Sequence, residues 1–97
     1  MKIILSQVIG LKESKRDCFL IKKEYESNII PQVGWEIYDS LWKDPSEYEV
    51  IQVILNYKNN ECQVALSSIK LEGNKEYLKE WYDLVKLHGW ETIGEIY

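Results

Sequence analysis

The sequence predicts an α+β domain: a curled antiparallel sheet, or a small barrel, of about five strands with one C-terminal amphipathic helix. Three observations carry this. Residues 48–71 alternate apolar and polar positions on both sides of Asn59 and Asn60, as a hairpin does. Residues 74–90 place apolar side chains at helical spacing between a capping asparagine and a glycine. Residues 2–9 and 18–25 are short strand-like runs separated by a polar stretch. At 97 residues the chain makes one domain, 1–97, with room for one core and little room for a cleft between lobes.

In chain order, "KIILSQVI" and "CFLIKKEY" flank the polar "KESKRD" and read as a first antiparallel hairpin. "IIPQVGWEIYDSLW" is then a Pro-to-Gly turn that opens a strand. Strand side chains alternate, so Trp35, Ile37 and Leu41 are assigned to the core, and Glu36, Tyr38, Ser40 and Trp42 to the other face. A bulge between Gly34 and Trp42 would reset that parity. "KDPSE" is a polar loop around Pro45.

The next hairpin is expected to turn at Asn59 and Asn60, which tolerate a left-handed backbone. That register pairs Tyr57 with Cys62, Leu55 with Val64 and Val53 with Leu66, and puts Ile51, Val53 and Leu55 on the core face. In the helix, Asn74 is the N-cap and Tyr77, Leu78, Trp81, Leu84, Val85 and His88 share a face. Gly89 ends it, with Trp90 placed to pack back on Val85. Trp81 is expected against Val53, Leu55 and Val64. The tail "ETIGEIY" adds an edge strand or packs on the surface.

Composition narrows the function. The net charge is −4, which argues against broad binding to nucleic-acid phosphates. The charge is uneven: residues 12–23 are basic (Lys12, Lys15, Arg16, Lys22, Lys23) and residues 36–49 acidic (Glu36, Asp39, Asp44, Glu47, Glu49). Such a dipole orients a partner, or is ordinary surface scatter. The apolar run after Lys2 is too short for a signal-peptide core, and no window reaches the ~20 apolar residues of a membrane span. The expected setting is therefore cytoplasmic and soluble, with no membrane partner. Cys18 and Cys62 form no metal-binding or redox motif and are expected as buried reduced thiols.

No catalytic, cofactor or metal motif is present, and the expectation is a protein that is not an enzyme and carries no cofactor. The single histidine, His88, lies where its charged form suits a helix C-terminus. Asp39, Asp44, Glu47 and Glu49 lack the spacing of a calcium loop and read as a solvated acidic stretch.

The Pro-x-x-Gly turn in "IPQVGWEIYDSLW", followed by a long hairpin, resembles small SH3-like barrels over about a third of the chain. "PQVGWEIYDSLWKDPSEYEV", with the richness in Lys, Ile, Asn and Glu, resembles uncharacterised small proteins of low-GC bacteria and their phages or mobile elements. That resemblance implies no established activity. The leading functional expectation is a protein–protein interaction module that uses an aromatic and acidic patch around residues 38–48. Its candidate contacts are Tyr38, Trp42, Asp44, Glu47 and Tyr48, and the partner is another protein or a second copy. The alternative to a patch is that the helix covers this face. The alternative functions are single-stranded nucleic-acid binding by a small barrel, with aromatics as stacking platforms, and a weak ligand-binding or hydrolytic domain.

Overall fold

The computed structural model describes residues 1–14, 16–41 and 47–93. Among them lie seven strands and one helix: β1 (Lys2–Leu11), β2 (Cys18–Glu26), β3 (Glu36–Tyr38), β4 (Glu47–Asn56), β5 (Glu61–Leu66), β6 (Ile69–Leu71), α1 (Lys75–Leu87) and β7 (Glu91–Ile93). The strands form one curled sheet in the order β3-β4-β5-β1-β2-β7, with β6 also on β1. The expected class, a sheet with one C-terminal helix, is what forms. The sheet is mixed rather than antiparallel, however, because β1 pairs antiparallel with β2 but parallel with β5 and β6. Parallel neighbours need a long crossover, and residues 12–60, with β2, β3 and β4, supply it. The strand count exceeds five because β6 and β7 are three residues each, too short for alternation to register.

β1 is the spine. Ile3, Leu5, Gln7 and Ile9 alternate inward and are buried, and their β2 partners Tyr25, Lys23, Ile21 and Phe19 share that inner face. Along the other edge of β1, the pairing offset grows by one residue between β5 and β6, around Ser67 and Ser68. Gln7 sits at this step, buried, and its Nε2 donates to the Ser67 carbonyl at 2.8 Å, standing in for a lost ladder bond. Gln7→Leu should therefore cost about 1–3 kcal/mol, since a partly buried carbonyl loses its donor while little volume changes. Chemical denaturation of the two proteins measures this, and equal midpoints would show that the step needs no side-chain bond.

The predicted hairpin forms with a longer turn, in which Asn60 is left-handed (φ 55°) and Asn56 Oδ1 accepts from Asn59 N at 3.2 Å. Leu55 faces Cys62 and Val53 faces Val64, two residues from the expected register. An even shift keeps the cross-strand faces matched, but Leu55, assigned to the core face, is exposed near the turn. A bulge between Val50 and Gln52 breaks that match: it turns Val50 into the core and leaves Ile51 54% exposed, reversing the assignment of Ile51.

The helix ends are as expected. Asn74 Oδ1 accepts from Tyr77 N at 3.0 Å. Gly89 takes φ 84°, its N–H donates to Lys86, and Trp90 N donates to Val85, the two bonds of a Schellman motif. The docking site differs. The helix packs on β1, β2 and β7, not on the β4–β5 hairpin, and Phe19 meets Tyr82 edge-on with centroids 5.1 Å apart. Three residues join α1 to β7, and β7 pairs with Leu20–Lys22, so the connection holds the helix over β2. Trp81 is accordingly only partly buried. No described helix is long and apolar enough to cross a membrane.

Candidate functional site

The inner face of β2 reads Phe19, Ile21, Lys23, Tyr25, changing from apolar to polar halfway along. An inward lysine requires a counter-charge. Asp39, just past β3, supplies it: Lys23 Nζ lies 2.9 Å and the Tyr25 hydroxyl 2.8 Å from Asp39 Oδ2. Oδ1 accepts from Leu41 N at 2.9 Å and from Trp90 Nε1 at 3.0 Å. Lys23 also donates to the His88 carbonyl at 2.7 Å, at the helix C-terminus where a cation is favoured.

Asp39 is only 6% exposed, so the reading of a solvated acidic loop is overturned for this residue. Burial alone would raise its carboxyl. The bonds from Leu41, Trp90, Lys23 and Tyr25 outweigh that and hold it at about 2, against an ordinary 3.8. On Lys23, burial acts downward, but the bonds to Asp39 and Tyr25 prevail and raise the ammonium. The Tyr25 phenol is raised first by burial and then by Asp39. In sheet order β3 and β2 stand four strands apart, so this hub ties the two ends of the curl together.

Beside the hub the curl stays open. Ile3, Leu5, Tyr25, Glu26, Ser27, Ile29, Pro31, Trp35, Ile37 and Tyr38 line a groove of about 440 Å3. Its floor, Ile3 and Leu5, is buried, while its walls are not: Ile29, Trp35 and Tyr38 are 67%, 49% and 73% exposed. Trp35 lines the groove with Ile37, and so does Tyr38 of the opposite parity. The groove is the mouth of the half-barrel and not closed core, so the assignment of Trp35 to the core is corrected.

Of the sequence-derived contacts, Tyr38 lies on this rim. Tyr48 stands opposite Ile37 and is half-buried against the core, with its phenol raised by burial. Glu47 stands opposite Tyr38 in the β3–β4 ladder. Trp42 and Asp44 lie outside the described residues. The groove residues that sequence reasoning missed, Tyr25, Ile29 and Trp35, come from three segments with no shared motif.

Other groups hold little chemistry. Ser40 Oγ and His88 Nδ1 are 3.0 Å apart, the first half of a nucleophile–base pair. Both Asp39 oxygens are taken by other donors, so that carboxylate does not orient the imidazole, and neither residue lines the groove. Cys62 is buried, which raises its thiol and keeps it protonated, and Cys18 is half-buried; both are free. Among the described residues no cluster of three or more His, Cys, Asp or Glu is placed to hold a metal ion.

Fold and groove together define a curled mixed-sheet domain with a C-terminal helix and an open apolar seam. Searches against protein families, curated proteins and solved structures found no match to this chain.

Proposed function

We propose that the domain is a non-enzymatic protein-binding module whose contact surface is the groove walled by Ile29, Trp35 and Tyr38. The observation that carries this is a buried apolar floor opening directly to solvent between exposed aromatic walls. Aromatic side chains over an apolar base are what binding hot spots are made of, and contiguous exposed apolar surface marks interaction sites. Glu26 lines the same groove, and Tyr38 is the residue of the 38–48 patch that this surface keeps in the contact.

Nucleic-acid binding is the weaker reading, because its basic contact is partly used inside the molecule. Lys23 is committed to Asp39, and Lys12 lies 3.1 Å from Glu72. A photo-reactive phenylalanine analogue at position 35 tests the proposal. Irradiation in the native cell extract should yield discrete protein adducts from position 35 and none from position 87, where Leu87 is 83% exposed outside the groove. Equal labelling from both positions, or none from either, would reject the groove as a binding surface.

A further inference from the structure

Resting on that reading, we propose that the groove takes an extended peptide segment that enters as an extra strand between the end of β2 and the outer edge of β3. Its apolar side chains would alternate with lysine or arginine.

The backbone sets up both banks. Ser27 N donates to the Met1 carbonyl, so the odd residues of β2 turn their backbone groups to β1. Glu24 and Glu26 then turn theirs to the opposite side. There β7 pairs only with Leu20–Lys22, and no described strand other than β1 pairs with Glu24–Glu26. On β4, Val50 N donates to the Trp35 carbonyl while the Glu49 carbonyl accepts from Ser67 N. Trp35 and Ile37 therefore face β4, and Tyr38 directs its N–H and C=O to the seam. An unpaired edge is a template for another chain.

β2 and β3 do not pair with each other; what joins them is side chain to side chain, the Tyr25 hydroxyl on Asp39 at 2.8 Å, whereas paired strands lie ~4.8 Å apart backbone to backbone. An added strand would sit over Tyr25 with alternate side chains on the Ile3, Leu5 and Ile37 floor.

Charge selects the occupant. The outward positions of β2 beside the seam are Glu24 and Glu26, both exposed. Glu26 meets the Met1 amine at 3.2 Å and Glu24 meets Lys2 at 4.0 Å, both at the surface where such pairs hold weakly. A second copy would bring another acidic edge to an acidic edge, so the outward residues of the occupant are basic.

The probe is an end-blocked heptapeptide alternating lysine and valine, followed by amide NMR and hydrogen exchange on the full chain. Binding is expected, with new protection at the Glu24, Glu26 and Tyr38 amides. Weakening of about tenfold or more is expected when the valine nitrogens are methylated, which removes ladder donors. A glutamate–valine peptide should not bind. Tyr38→Pro should remain folded, because that N–H is not used by β4, and should lose the peptide.

The idea is overturned if the methylated peptide binds equally, if the glutamate peptide competes, if the three amides stay unprotected, or if the lysine peptide does not bind at all. Adducts from position 35 alongside any of these results would leave the groove a protein-binding surface without strand addition. Loss of both would remove the two readings together. A groove that fills only with a small hydrocarbon such as octanol, and with neither peptide, also overturns the proposal.

Discussion

Replacing Asp39 with alanine should cost about 3–5 kcal/mol, a large part of the ~5–15 kcal/mol that holds an average domain together. The loss does not measure what the ion pair contributes over an apolar pair. It arises because Lys23, with its side chain only 20% exposed, is left without a counter-charge, and because Leu41 N and Trp90 Nε1 lose their acceptor at the same time. Lys23→Met combined with Asp39→Asn should recover much of the stability, since the stranded charge is gone. Urea unfolding of the parent, Lys23→Met, Asp39→Asn and the double variant gives the coupling directly. Single losses that add to the double would mean the hub is only a set of independent surface bonds.

The same carboxyl makes acid sensitivity predictable. Its folded-state value of about 2 lies below the ordinary 3.8, so the native state binds fewer protons than the unfolded chain as the pH falls. The contribution, about 2 kcal/mol, is full above pH ~4 and is lost as the pH falls toward 2. Melting temperature followed between pH 5 and 2 should drop more steeply for the parent than for Asp39→Asn. Parallel curves would show that other carboxylates carry the acid response.

The helix and both its caps were legible because their signals are local: Asn74, Gly89 and Trp90 act within one turn of the residues they satisfy. The hairpin was legible in kind but not in register, since nothing in "YKNN" distinguishes a two-residue turn from a longer one, and the bulge at Ile51 has no composition mark. Parallel pairing of β1 with β5 joins residues about sixty apart and leaves no periodic trace. The hub left a trace that simple charge counting obscures. Lys22 and Lys23 are adjacent in a strand whose inner face already holds Phe19 and Ile21, so one of them must point inward and must find an acid. The groove had no such trace, because parity does not tell whether the sheet closes above Trp35.

That distinction leads to the second large effect, a contrast between two tryptophans. Trp90 is 3% exposed and spans helix end, core and hub, while Trp35 is 49% exposed on the groove wall. Trp90→Ala should cost about 3–5 kcal/mol, from lost apolar burial plus the cavity left behind. Trp90→Phe keeps a six-membered ring but loses the rest of the indole with its N–H to Asp39, so at least about 1–3 kcal/mol is expected. Trp35→Ala should cost no more than about 2 kcal/mol, because half of the ring is already wet. Each kcal/mol moves the melting temperature by about 4–8 °C in a domain of this size, so Trp90→Ala should melt lowest, below both Trp90→Phe and Trp35→Ala. A collapse on losing Trp35 would mean that the groove is closed over it in solution, and the seam would then be core rather than surface. A stable Trp35→Ala that has lost its partner would instead separate folding from binding. That separation is the outcome expected of a sheet whose curl is locked by Asp39 at one end and left open beside it.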